Sequence, residues 1–313
     1  MRRAERYVLI SPCRDEAQFL RRTLDSVKAQ SVPPDLWVVV DDGSTDDTPR
    51  ILAEYAKELP YLRIVRREDR GRRSVGPGVI EAFETGYRTI VPDEFDYLCK
   101  LDLDLDLPPT YFETLMRRMQ ADPRLGTCSG KPYFPAQDGR LVSEGCGDEM
   151  SVGMTKFYRT RCFLEIGGFV PHVMWDGIDC HRCRMLGWSA RSYDDPELRF
   201  VHLRPMGSSD KSLWKGRWRH GGGQWFMGTG LGYMTASALY RSLRPPLVQG
   251  GLAMWLGYVA SMLERKPRYD DPDFRAHLRR FQREALLFGK RRARERAERT
   301  FASASTIRVT EEP

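Results

Sequence analysis

Four short apolar runs, YVLIS at 7–11, LWVVV at 36–40, LRIVRR at 62–67 and FDYLCKL at 95–101, are separated by stretches of helical period. That spacing constrains the fold more than any other feature of the chain. Each run is too short for a buried helix and long enough for a strand. Between them, Phe19, Leu20, Leu24 and Val27 recur at helical spacing. Residues 46–58 follow Thr45 or Asp46 as an N-cap, with Pro49 in the first turn, and 76–90 is a third helical pattern. Strand, helix, strand, helix on short links predicts an α/β fold: a mostly parallel central sheet with helices on both faces. In such a sheet, ligands bind beyond the carboxyl ends of the strands.

The acids lie at those ends. Asp41-Asp42-Gly43-Ser44 closes the second run, and the fourth continues into LDLDLDLPP, where Asp102, Asp104 and Asp106 alternate with leucines. A period of two puts the leucines on one face, packing inward, and the acids on the other. Alternation taken alone describes a solvated edge strand equally well. Two carboxylates one residue apart cannot both stay dry and ionised without a counter-charge. A hard divalent cation, Mg2+ or Mn2+, supplies one, since it prefers one or two carboxylates plus a substrate phosphate.

Further along, residues 111–121 read as a helix, and WDGIDCHRCRMLGW as a helix opened by acids and ended by Gly187. SARSYDDPELRFVHLR reads as a returning strand pair finishing near His202. The last hundred residues change character. Trp214, Trp218, Trp225 and Trp255 fall among glycines, and 247–263 is uncharged for seventeen residues, marginal for spanning a bilayer. A core or interfacial helix is expected there. From Arg275 to Arg299, ten Lys and Arg face three Glu, which equals the whole chain's net charge of +7. A basic terminal block beside aromatics suits an anionic membrane surface. A nucleic-acid binder would spread its basic residues over a working face, so nucleic acid is not an expected partner.

The seven dispersed cysteines suggest reduced thiols in the cytoplasm. Cys180 and Cys183 form a CxxC with no second pair at zinc spacing, so they read as positions of one helix. The start, MRRAERYVLISP, lacks the apolar length of a signal peptide.

Taken in order, SPCRDEAQFLRRTLDSVKAQS, VVVDDGSTDDT, RGRRSVGPGVIEAFETGY, KLDLDLDLPP, the IGGF of 166–169 and WDGID resemble a family 2 glycosyltransferase of the GT-A fold over about residues 7–205. The resemblance implies a nucleotide-sugar donor and inversion at the anomeric carbon. Its extent implies a catalytic domain, 1–205 (a nucleotide-binding half, 1–110, and an acceptor half, 111–205), while the tryptophans and basic block beyond it lead us to expect an aromatic-rich, helical, basic, membrane-associating extension, 206–313. It places Pro12, Arg14 and Glu16 in the first nucleotide-contacting loop and Asp41 and Asp42 against the base. Arg70, Arg72 and Arg73 fall near base and diphosphate. Asp102 and Asp104 match the DxD: Asp104 as direct ligand of Mn2+ or Mg2+, Asp102 toward ribose and metal, with His202 as a third metal or diphosphate contact. Asp106 exceeds the pattern.

For the base that deprotonates the acceptor hydroxyl, the family uses an acid of a Glu-Asp pair at a helix start. Here that pair reads Trp175-Asp176, which makes Asp176 the candidate and Asp179, one turn on, the fallback. Trp175 and Trp188 could each offer a face to a sugar, though Trp188 suits the core better. The expected acceptor is a lipid-linked saccharide and the expected location the inner face of the cell membrane, held peripherally. Two other classes compete. A sugar nucleotidyltransferase would open on a glycine-rich phosphate loop, which SPCRDEAQF lacks. A non-enzymatic nucleic-acid or membrane binder leaves the ordered aspartates unexplained.

Overall fold

The computed structural model describes residues 5–71, 76–136, 138–204, 213–243 and 247–304. They form two compact units. The first holds residues 5–171 and 188–204; the second holds 172–187 and the helices from 213 onward. The chain is therefore not divided by a single cut after residue 205: segment 172–187 groups with the C-terminal helices.

In the first unit, each apolar run becomes a strand: β1 (Tyr7–Cys13), β2 (Leu36–Asp41), β3 (Leu62–Arg66) and β4 (Tyr97–Leu101). Between them lie α1 (Ala17–Lys28), α2 (Thr48–Tyr55) and α3 (Pro77–Tyr87). After β4 come β5 (Leu105–Asp106), α4 (Tyr111–Ala121), β6 (Leu125–Ser129), β7 (Lys131–Pro135) and β8 (Leu141–Ser143). Next follow β9 (Thr155–Arg159), α5 (Thr160–Glu165), α6 (Trp175–Met185), β10 (Ser189–Ser192) and β11 (Arg199–His202). Of these, only α6 belongs to the second unit.

The main sheet runs β10-β6-β9-β4-β1-β2-β3, parallel except where β9 lies antiparallel between β4 and β6. Strand order reverses between β1 and β4, so the cleft beyond their carboxyl ends is the switch point where such sheets bind ligands. Pro12 sits within β1, where its missing N–H is tolerable because pairing with β4 stops at Ile10. A second sheet, β5-β11-β7-β8, covers this end.

Two local expectations are corrected. β10 and β11 do not pair with each other: β10 joins β6 in the main sheet, and β11 lies between β5 and β7 in the small one. The second helix starts at Thr48, after Asp47, rather than on Thr45 or Asp46. Those two residues are used across loops instead. The Asp46 carboxylate accepts from the N–H groups of Thr48 and Ala17, at 2.9 and 3.0 Å, and Thr45 N–H donates to Asp15 at 2.8 Å.

The second unit comprises α6 with α7 (Leu213–Met227), α8 (Leu231–Ser242), α9 (Gln249–Leu263), α10 (Pro272–Phe288) and α11 (Lys290–Ala304). The uncharged segment is α9, with Met254 and Tyr258 buried in one cluster with Trp225. Glycine lets α7 and α9 touch backbone to backbone: a Cβ on Gly257 would stand 2.1 Å from the Trp218 carbonyl oxygen. Among the described residues, no helix is long and apolar enough to cross a membrane. Cys180 and Cys183 are both buried on α6.

Beside them, His181 on α6 and His277 on α10 are buried with ring nitrogens 3.4 Å apart. Burial, reinforced by the Arg184 charge, holds His277 down to about 4 and His181 well below its ordinary value. Unfolded imidazoles take up protons near pH 6.5. Below that pH the unfolded chain therefore binds more protons than the folded one, and stability present above it is lost toward pH 4. At pH 5, His277 alone removes about 2 kcal/mol. A thermal melt is expected to drop by about 5 °C between pH 7.5 and 5.0. His277→Gln should flatten that slope, and an unchanged slope would contradict the assignment.

Candidate active site

The alternating acids separate when folded. Leu103, Leu105 and Leu107 are all buried in the core, as a period of two requires. Only Leu105–Asp106 is strand; the chain bends at 103–104. Asp106 turns outward and pairs with Arg22 of α1 at 2.9 Å. Asp102 and Asp104 remain at the mouth of the β1/β4 cleft.

The pairing of β11 with β5 sets what faces Asp104. His202 lies opposite Leu105, and Leu203 N–H donates to the Asp104 carbonyl at 2.8 Å. The chain bends at 203–204, just past the end of β11, and the side chains of residues 202 and 204 both reach the Asp104 carboxylate. His202 Nε2 stands 3.7 Å and Arg204 Nε 3.1 Å from Asp104 Oδ2. His202 Nδ1 lies 3.0 Å from Glu144 Oε2. Arg204 also pairs with Glu16, and its guanidinium lies over the Phe19 ring. Asp102 pairs with Lys100, a β4 residue only 2% exposed, whose Nζ also donates to the Gly153 carbonyl at 2.9 Å.

The counter-charge that the sequence argument assigned to a metal is thus supplied in part by the protein. Burial opposes the charged form of His202, but two carboxylates outweigh it and push its pKa up to about 9. Burial likewise opposes ionisation of Asp104, yet His202, Arg204 and Lys100 hold its carboxyl below the usual range. Four carboxylates (Asp102, Asp104, Glu144, Glu16) meet three cations (Lys100, His202, Arg204). Burial pushes the Asp102 carboxyl above the usual range, against the pull of Lys100.

These groups suit a divalent cation once His202, held protonated by its two carboxylates, gives up its Nε2 proton, because only a neutral imidazole coordinates a metal. Octahedral ligands of Mg2+ stand about 3 Å apart at bond lengths near 2.1 Å. The 3.7 Å between Asp104 Oδ2 and His202 Nε2 is within a small adjustment of that. Glu144 occupies Nδ1, the arrangement by which carboxylates orient a metal-binding imidazole through its other nitrogen. Among the described residues, no group of three or more His, Cys, Asp or Glu side chains is placed to hold a metal ion, so Asp102, Asp104 and His202 do not meet as a preformed ligand set. Glu144→Gln is expected to weaken Mn2+ binding by about 10–100-fold while leaving the melting temperature near wild type. Manganese titration followed by electron paramagnetic resonance reads this; unaltered affinity would remove Glu144 from the role.

The other candidates of this unit frame the cleft. Arg14 donates to the Asp42 carbonyl at 2.7 Å and to Asp69 at 2.6 Å. Asp41 accepts from Ser44 N–H at 2.9 Å, closing the turn after β2. The Asp42 carboxylate binds Arg67 at 2.8 Å and also Arg70, which reaches on to Glu81. Glu16, at the start of α1, is buried and donates its N–H to Thr48 at 2.8 Å. Arg72 and Arg73 lie outside the described residues. The first unit therefore holds Pro12, Arg14, Glu16, Asp41, Asp42, Arg70, Asp102, Asp104 and His202 on strand ends and the links that follow them.

Asp176 and Asp179 belong to the second unit. Asp176 stands in the first turn of α6, half-buried, and its charge is felt by His220. Asp179 is 2% exposed, with its carboxylate accepting from Cys180 N–H at 2.6 Å, so it is the poorer choice to meet an acceptor. Trp175 is buried, and so is Trp188, whose Nε1 donates to Glu165 at 2.7 Å; neither presents a free face.

Sequence reasoning missed Lys100, Glu144 and Arg204. A lysine inside an apolar strand was a visible signal, and Arg204 follows His202 by the same period of two. Glu144, on a polar loop, carried none.

Comparison with known proteins agrees with this geometry. Over 123 residues the chain is 24% identical to the poly-beta-1,6-N-acetyl-D-glucosamine synthase of Staphylococcus aureus, a match covering 38% of this chain and 27% of that one. Its fold is similar to that of a Pyrobaculum calidifontis mannosyltransferase solved with GDP-Man and Mn2+: TM-score 0.52, 18% identity, 95% of this chain and 87% of the other. It is also similar to residues 1–349 of S. aureus TarS solved with UDP-GlcNAc: TM-score 0.52, 13% identity, 97% and 93% covered. Both neighbours share the architecture expected from the strand order. The model of the family described as "Glycosyl transferase family 2" matches residues 8–173, more than half of the chain, and so this chain belongs to glycosyl transferase family 2.

Proposed function

We propose that the chain is an inverting glycosyltransferase that moves a sugar from a nucleotide-sugar to a hydroxyl of a lipid-linked saccharide, in surface or extracellular polysaccharide synthesis. The observation that carries the reading is Asp104 at the β1/β4 switch point, facing His202 and Arg204. A UDP-sugar is the favoured donor, supported by the TarS complex with UDP-GlcNAc, and a GDP-sugar is second, supported by the mannosyltransferase complex with GDP-Man.

Asp104, with Asp102 and His202, would hold Mn2+ or Mg2+, which when bound offsets charge on the departing diphosphate. Asp41 and Asp42 accept from the N–H groups of the base. Arg14 and Arg70 position the nucleotide. Asp176 takes the proton of the acceptor hydroxyl as its oxygen attacks the anomeric carbon opposite the leaving diphosphate. The exposed leucines of the second unit and its basic C-terminal helices support peripheral attachment to an anionic membrane, on the cytoplasmic face.

The test is calorimetry of UDP and GDP with and without Mn2+, followed by a donor-sugar screen for product. We expect one nucleoside diphosphate to bind in the presence of the ion. No association with either would overturn the reading.

A further inference from the structure

We infer that the elbow between α10 and α11 is the element that docks on an anionic lipid surface. This rests on the proposed membrane attachment and narrows it to one place. Leu286, Leu287 and Phe288 close α10, Gly289 turns the chain with a positive φ of 83°, and Lys290, Arg291 and Arg292 open α11. All seven residues are exposed, with Leu287 at 73% and Leu286 at 51%.

Helix packing does not account for those leucines. The buried face of α10 is Phe274, His277, Leu278, Phe281 and Gln282. At 100° per residue, Leu286 and Leu287 fall well off that stripe, on the outer side. The two helices fold against each other, with Ala293 fully buried and the Arg296 guanidinium 5.4 Å from the Phe288 ring centre. The elbow is therefore the tip of a helical hairpin that carries three apolar and three cationic residues together. Between Glu284 and Glu295 the sequence holds no acid.

That combination identifies the occupant. Contiguous exposed apolar side chains mark a docking surface, and their pairing with cations suits a bilayer interface. A purely apolar protein partner would offer no complementary charge to the exposed Arg291 and Arg292. Acyl chains take the leucines, and anionic headgroups take the cations. Each Lys or Arg near such a surface strengthens binding by about fivefold.

The experiment is flotation of the full chain with vesicles of phosphatidylcholine alone or with one third phosphatidylglycerol, and gel filtration in parallel. Wild type is expected on the anionic vesicles. Arg291→Gln with Arg292→Gln should weaken that binding by about 25-fold, the square of the single-residue factor. Leu286→Ser with Leu287→Ser should weaken it by about tenfold or more, from the apolar area lost. Both pairs are exposed, so melting temperature and binding of UDP or GDP with Mn2+ should stay at wild-type values. As a comparator, Leu239→Ser on α8 with Leu243→Ser just after it changes other exposed leucines. If wild type binds and only the α8 pair matters, the elbow is overturned and membrane attachment stands. If wild type ignores anionic vesicles, both are overturned. Loss of a dimer in the elbow variants, without vesicle binding by wild type, would assign the elbow to a second copy and also overturn the inference.

Discussion

Asp104→Ala is expected to abolish Mn2+-dependent binding of nucleoside diphosphate and to cut sugar transfer by at least about a thousandfold, the scale of several kcal/mol lost from charge stabilisation. The reason is local charge. Asp104 is the carboxylate that both His202 and Arg204 reach. Removing it takes away the carboxylate that its neighbours hold below the usual range, and so the acid best kept ionised to attract a divalent ion. The backbone bond from Leu203 N–H to the residue-104 carbonyl does not depend on the side chain, so β5 and β11 stay paired. Asp106→Ala is the matched control, because Asp106 pairs with Arg22 on the surface and should leave binding within about twofold. Calorimetry with manganese decides it. Equal losses for the two variants would mean that alternation, rather than position, governs the phenotype, and the metal assignment would fail.

The second large effect separates binding from chemistry. Asp176→Asn should keep donor affinity while lowering transfer by about 10²–10⁴-fold, the usual contribution of a general base. The substitution preserves shape and removes only the proton-accepting charge. Asp176 lies in the first turn of α6 and is half-buried, so an acceptor can meet its carboxylate. Asp179 is buried and bonded to Cys180 N–H, and its Asn variant is expected to act on folding rather than on turnover. The decisive reading is kcat with donor affinity measured separately on each variant. Transfer by Asp176→Asn at the wild-type rate would return the role to another residue.

The parts legible in the sequence were those that depend on local pattern. Apolar runs at 7–11 and 36–40 became strands because each side of a parallel sheet is covered, which demands continuous apolar residues. Leu103, Leu105 and Leu107 were readable as core from a period of two. The order of β10 and β11 was misread because adjacency along the chain suggested a pair, whereas each found a longer-range partner in a different sheet. The helix start at Thr48 was missed by a few residues because Thr45 and Asp46 are engaged by the loop after β1.

By itself, then, the sequence determined the α/β class, the strand ends where acids emerge, and the family. These follow from periodicity and the ordering of motifs, both carried within short windows. Only the tertiary structure decided which cation meets which acid. His202 and Arg204 lie about a hundred residues beyond Asp104, and Glu144 lies on a separate loop. The register of β11 on β5 brings His202 and Arg204 to Asp104, and the pairing of β8 with β7 carries Glu144 there; no local pattern encodes either. Charge pairing is a matter of distance in space, and strand pairing is what converts distance along this chain into a contact of a few ångströms.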